Sequence, residues 1–168
     1  AVVKKENNLR TGKTLSYVGI LFNENRDKYY LSSDGAMLIS PDIEQKKGII
    51  ENAVDVAHAL GNELPKVAMI CAKEKYYEKI DNAVDLHAVE VKGIDDPVAG
   101  HADILIVPAI ESGNILLKTA KYLGGWTFGG IVVGAKVPIV VCSRSDGESA
   151  KLVSIAVACM LSARNASK

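Results

Sequence analysis

Short apolar runs that alternate with stretches of helical period constrain this chain more than any other feature. Residues 14–22, 66–71, 103–107 and 137–142 are such runs, several of them nearly continuous in Val, Ile, Leu and Ala. Runs this short are strand-sized, and a continuous apolar run predicts a strand buried on both faces. Residues 29–31 add another strand, joined to the first by the polar turn 23–28. Between the runs, apolar residues recur every three or four positions. The alternation predicts an α/β fold, a mainly parallel sheet with flanking helices. In such sheets ligands bind beyond the carboxyl ends of the strands. The loops 108–114 and 143–149 follow two of the runs. If those strands are parallel, both loops share one edge of the sheet.

The helices carry their own signals. Ser40 and Pro41 precede a stretch in which Ile43, Ile50, Val54, Ala57 and Leu60 recur at helical spacing. Ser can cap a helix and Pro fits its first position, while Gly61 is placed to stop it. Residues 81–91 and 114–123 read as further helices, the second ended by Gly124 and Gly125. Residues 129–133 read as extended. A last helix is expected over about 146–162, and it is apolar almost all round. Such a helix is buried within a larger body or at an interface.

Composition narrows the function classes. The 168 residues suit one domain of ordinary size. Twenty basic residues balance twenty acidic ones, so no excess charge points to nucleic acid or to an anionic membrane. No apolar run reaches the roughly 18–20 residues that span a bilayer. Cys71, Cys142 and Cys159 are dispersed in apolar stretches. They read as buried free thiols in a reducing cytoplasm. His58, His87 and His101 make no metal-binding motif, and no metal is expected. Arg10-Thr11-Gly12-Lys13-Thr14 is not a phosphate-binding P-loop, because position 7 is Asn where that motif needs Gly.

Chemistry is therefore sought in the two strand-end loops. In Pro108-Ala109-Ile110-Glu111-Ser112-Gly113-Asn114, Gly113 permits close backbone approach. A helix starting at Asn114 would offer free N–H groups to an anion, with Lys118 one turn on along the same face. The plainer reading is a capped helix with a surface lysine. In Ser143-Arg144-Ser145-Asp146-Gly147-Glu148-Ser149, a guanidinium beside hydroxyls and a helix N-terminus suits a phosphate or another oxyanion. A neighbouring carboxylate could take a proton from a thiol or hydroxyl. Alternatively, Asp146 caps the last helix and Arg144 is solvated. Cys142 could be a nucleophile, but with apolar neighbours and no nearby His it reads as a buried strand-end thiol.

Several separated segments together resemble the phosphate acetyl/butyryl transferase family. They are 96–100, 102–108, Glu111-Ser112-Gly113-Asn114 with Lys118, Gly129-Gly130-Ile131 through Gly134, Pro138, and Ser143-Arg144. The segments 9–16, Asp34-Gly35-Ala36 and 52–61 are more similar to the butyryl branch. The resemblance implies a reversible transfer of a short-chain acyl group, butyryl or branched, between coenzyme A and orthophosphate. The partners are acyl-CoA, orthophosphate and acyl phosphate. Coenzyme A is a substrate, and no tightly bound cofactor is implied. The fold implied is similar to that of the isocitrate/isopropylmalate dehydrogenases, with the site in a cleft between two domains of a cytoplasmic homo-oligomer. Ser143 would hydrogen-bond the reacting carbonyl or thioester, and Arg144 would hold the phosphoryl group and stabilise developing charge. Gly113, Asn114 and Lys118 would line the cleft, and Arg10 and Thr11 belong to a matching stretch.

The acetyl branch has an aspartate a few residues after its Ser-Arg pair, where this chain has Ala150. Asp146 is then the expected base for the thiol of coenzyme A, with Glu148 the other carboxylate within reach. Family members are longer, so residues 1–168 are expected to be a C-terminal portion, with residues missing between about 73 and 82. Two other readings stay open: acetyl specificity, and a non-catalytic module that binds acyl-CoA or phosphate. A dehydrogenase-like enzyme ranks last, because the chain has neither a GxGxxG motif nor a metal-binding acidic cluster.

Overall fold

The computed structural model describes residues 8–23, 28–70, 98 and 100–167. Among these residues, six strands and three helices follow in order. They are β1 (Ser16–Phe22), β2 (Tyr29–Ser33), α1 (Ile43–Ala59), β3 (Val67–Met69) and β4 (Ile104–Ile106). Then come α2 (Ile110–Tyr122), β5 (Thr127–Val133), β6 (Ile139–Val140) and α3 (Glu148–Ala166). The expected helix over 81–91, with Cys71, His87 and the segment 73–82, lies outside the described residues.

The sheet order is β3-β4-β2-β1-β5-β6. Strands β3, β4 and β2 are parallel neighbours. Strand β1 is antiparallel to both β2 and β5, and β6 is antiparallel to β5. The sheet is therefore mixed, which corrects the expected mainly parallel sheet. An apolar run specifies burial but not chain direction. The short polar connection after β1 forces a hairpin, and that hairpin sets the antiparallel half. Strand β6 is also not the buried strand expected over 137–142. It is a two-residue edge strand, and Val137, Val140 and Val141 are exposed.

Helices α1 and α3 cover one face of the sheet. Val18, Ile20, Leu31, Ile104, Ile106 and Ile131 meet Ile49, Ala53, Val56, Val157 and Leu161 there. Helix α1 begins two residues later than expected. Ser40 is not its cap, because Asp42 closes a reciprocal capping box with Gln45. The Gln45 N–H donates to Asp42 Oδ1 at 2.8 Å, and the Asp42 N–H donates to Gln45 Oε1 at 3.0 Å. Its buried stripe is Ile49, Asn52, Ala53, Val56 and Ala57, while Ile43 faces solvent. Gly61 follows the helix with φ +87°, the left-handed conformation that stops it.

Helix α3 buries Ala150, Ser154, Val157, Ala158 and Leu161. Its opposite face, with Leu152, Ile155 and Met160, is exposed on this chain. Within this chain its burial is confined to one face.

Helix α2 covers the other face of the sheet, through Leu117 on Tyr17, Leu21, Phe128 and Val132. The glycine pair in β5 serves both layers. A Cβ on Gly129 would stand 2.6 Å from Ser154 Oγ of α3. A Cβ on Gly130 would collide with the ring and hydroxyl of Tyr17 on the opposite face. Successive strand residues point to opposite sides, so each glycine clears one face.

Candidate functional site

The floor of the site is the β1–β5 face beneath α2. Tyr17 lies flat over Gly130, and Phe128 stands further along the same face. Two loops and α2 raise the walls. The turn after β2 is fixed by Asp34, whose Oδ1 accepts the Ala36 and Met37 N–H groups, both at 2.9 Å. Asp34 is 1% exposed, and its Oδ2 has no hydrogen-bond partner. Burial pushes its carboxyl above the usual carboxylate range, although backbone N–H groups oppose the shift.

Gly35 in this turn packs against Gly113 of α2. A Cβ on Gly113 would stand 2.5 Å from Gly35 Cα, so glycine sets how closely helix and turn approach. The close backbone approach expected at Gly113 is thus made to the Gly35 turn, while the helix start expected at Asn114 is corrected. Helix α2 starts at Ile110, four residues before the expected start, and the Gly113 N–H is already bonded to Ala109 O at 3.2 Å. Gly113 offers no free amide to an anion. The first turn begins early because Ala109 adopts an extended conformation right after Pro108, and the Ile110 N–H is held by Ile39 O at 3.0 Å.

The loop after β6 closes the third wall. Asp146 does not cap α3, whose N-cap is Gly147 without a side-chain bond. It folds back into its own loop instead. Asp146 Oδ2 accepts the Ser143 N–H at 2.6 Å, and Oδ1 pairs with Lys121 Nζ at 2.9 Å. Lys121 also donates to Ser145 O at 3.0 Å. The side chains of Asp146 and Lys121 are only 5% and 20% exposed. Sequence reading missed Lys121, although its i+3 spacing from Lys118 puts both on one face of α2. Both ammonium groups lie over the Phe128 ring, Lys118 at 5.7 Å and Lys121 at 5.3 Å from its centroid.

These walls enclose a cavity of about 270 Å³. Asn114 and Lys118 from α2 line it with Ser143 and Asp146 from the β6–α3 loop. Leu117, Phe128 and Val141 give it an apolar side, and Tyr17 lies beneath. Four of the expected site residues therefore meet in one place. They do so although β4 and β6 run in opposite directions, which corrects the expected shared sheet edge. Arg144 is exposed and does not line the cavity.

Arg10 and Thr11 lie elsewhere. Arg10 bridges to Ala135, and Thr11 Oγ1 donates to Gly134 O at 2.6 Å. Thr11 lines a separate cavity with Lys13, Asn52 and Lys136. Glu148 begins α3 and is exposed. Cys142 is half-buried and reaches the cavity, and Cys159 is exposed, so neither is the buried thiol expected. Among the described residues, no His, Cys, Asp or Glu cluster could hold a metal, and no helix is long and apolar enough to cross a membrane.

Tyr17 is a second residue that sequence reading missed. Burial, then the charges of Asp146, Cys142 and Asp34, raise its phenol far above the ordinary value, so it stays protonated.

Comparison with known proteins extends this geometry. The sequence pattern of the family described as Phosphate acetyl/butaryl transferase matches residues 1–79 and 78–159. A phosphate butyryltransferase of Clostridium beijerinckii is 36% identical, over 98% of this chain and 64% of that protein. A phosphate acetyltransferase of Rickettsia prowazekii is also 36% identical, over 94% of this chain and 54% of that protein. The chain thus spans between half and two thirds of the length of these relatives. A crystal structure of a branched-chain phosphotransacylase from Enterococcus faecalis V583 superposes with a TM-score of 0.83. It is 32% identical, with 95% of this chain and 67% of that chain covered.

Proposed function

The chain belongs to the phosphate acetyl/butyryl transferase family, and from that premise we propose that the whole protein is a phosphotransacylase. It transfers a short-chain acyl group, butyryl or branched, reversibly between coenzyme A and orthophosphate. The observation that carries this reading is the convergence of Asn114, Lys118, Ser143 and Asp146 on one cavity with an apolar side. An acyl chain needs the apolar side, and a phosphoryl group needs cations and hydrogen-bond donors.

In the direction of acyl phosphate, a phosphate oxygen attacks the thioester carbon. The carbonyl electron pair moves to oxygen and returns as the C–S bond breaks. The proton of hydrogen phosphate passes to the departing thiolate. Ser143 donates a hydrogen bond to the carbonyl oxygen as charge develops there. Lys118 and Asn114 face the phosphoryl group. Arg144, at the rim, closes on that group when substrate and the second wall of the cleft are present. Asp146 relays the proton, and its bond to the Ser143 N–H keeps the loop in register. The second wall comes from a further α/β domain of the full-length protein, which works as a cytoplasmic homo-oligomer.

The test is thiol release by the full-length protein from acetyl-, butyryl- and branched-chain acyl-CoA with phosphate. Phosphate-dependent release, fastest with butyryl or branched chains, is expected. Fastest release with acetyl-CoA would reassign the specificity. No release with any of them, or full activity of Arg144→Ala, would overturn the assignment. Cys142→Ala should retain activity, since no covalent enzyme intermediate is involved.

A further inference from the structure

We propose that the Tyr17 hydroxyl is a substrate-contacting group that donates a hydrogen bond to the acyl carbonyl oxygen. This rests on the phosphotransacylase reading and deepens it. The ring is placed by construction of the sheet. It lies over Gly130, where any side chain would collide with it, and beside Gly19, whose Cβ position is 3.4 Å from the ring. Two glycines on adjacent strands thus leave a bare patch that the ring fills. Leu117 and Phe128 flank it, so the ring has little freedom to turn away.

The residue is 6% exposed yet lines the cavity with Ser143 and Asp146. Among the described residues, its hydroxyl has no hydrogen-bond partner within the fold. A phenol needs a partner when buried, and a donor aimed at the cavity finds one in the ligand. The choice of ligand atom follows from charge. Asp146 lines the same cavity, and the buried Asp34 fixes the turn whose Gly35 and Ala36 line it too. A phosphate dianion is disfavoured beside these carboxyl groups and is drawn to Lys118 and Arg144. A carbonyl oxygen carries no formal charge in the ground state. It gains charge only as the phosphate attacks, and a fixed neutral donor is stronger at that moment. The acyl chain beyond the carbonyl then meets Leu117, Phe128 and Val141.

The experiment compares full-length wild type with Tyr17→Phe, which keeps the ring on Gly130 and removes only the donor. With butyryl-CoA and phosphate, kcat should fall roughly 100- to 1000-fold, the range seen on removing one such donor. The affinity for free coenzyme A, which has no acyl carbonyl, should change less than twofold. The thermal midpoint should stay within about 2 °C, since the hydroxyl bonds none of the described residues. A kcat within twofold of an active wild type would overturn this inference alone. Equal losses in turnover and in coenzyme A binding would overturn it too, by showing a merely structural role. An inactive wild type would instead overturn the phosphotransacylase reading on which it rests.

Discussion

The ion pair between Lys121 and Asp146 should couple the far end of α2 to the loop that carries Ser143. The perturbation is a double-mutant cycle of Lys121→Met and Asp146→Ala. The pair is 2.9 Å apart, with side chains 20% and 5% exposed. At that distance the gross attraction is about 6 kcal/mol for an effective dielectric of 20, and desolvation cancels most of it. Asp146→Ala also removes the acceptor of the Ser143 N–H and leaves Lys121 half-desolvated. It should cost about 3 kcal/mol. Lys121→Met keeps the apolar stem over Phe128 but abandons a carboxylate that is almost buried, and should cost about 2 kcal/mol. The double variant should cost about 3.5 kcal/mol, which leaves a coupling of about 1.5 kcal/mol. Urea unfolding of the full-length proteins, followed by far-ultraviolet circular dichroism at constant m-value, reads these differences. Additivity within 0.3 kcal/mol would refute the reasoning, because the loop would then be held by something other than this pair.

Two further outcomes follow from buried polar groups. Ser154 is fully buried, and its Oγ accepts the Gly130 N–H at 2.9 Å while donating to Ala150 O at 2.7 Å. Ser154→Ala leaves that N–H unpaired and should lower stability by about 1–3 kcal/mol in urea, and a loss under 0.5 kcal/mol would contradict it. Asp34 has a folded-state pKa raised by burial, so the folded state binds its proton more tightly than the unfolded state does. Its contribution is therefore complete below the unfolded carboxylate pKa and is lost as pH rises through the folded value. Asp34→Asn keeps an oxygen for Ala36 and Met37 but carries no charge. Its stability relative to wild type should be most favourable at pH 7 and decline towards pH 4, and a pH-independent difference would contradict the assignment.

The sequence readily showed where strands and helices lie, because burial and period are local signals. Strand 104–106, the hairpin partners at 16–22 and 29–33, and the stop at Gly61 are all of this kind. Direction is not local, and the mixed sheet was missed for that reason. Glycine was the other ambiguous signal. Gly113 reads as a loop residue in sequence, yet it is helical and marks the contact with Gly35. Gly130 reads as a strand glycine, and only the Tyr17 ring above it explains why. Asn114, Lys118 and Ser143 stand in separated motifs that share the pattern of one family, whereas Asp146 departs from that pattern and was reached only as a carboxylate in the same loop. Lys121 and Tyr17 carried no motif, and their importance lies wholly in contacts across the fold.

The opposed directions of β4 and β6 make α2 the element on which the site depends. Two loops on one sheet edge would be aligned by the sheet itself. Here the sheet does not bring them together, and the helix must do so. The helix rises about 1.5 Å per residue, so Asn114 and Lys121 are roughly 10 Å apart along its axis. That rise carries the site from the turn after β2 to the loop after β6. Each end of this span has its own fastening. Gly35 against Gly113 fixes the near end by backbone contact. Lys121 on Asp146 and Ser145 fixes the far end by charge and hydrogen bonding. Leu117 seats the middle on Tyr17 and Phe128. A change at any of the three shifts Asn114 and Lys118 relative to Ser143, without touching any of them. Residues outside the cavity should therefore affect turnover through the seating of one helix, and Gly113 and Lys121 are where that effect should be largest.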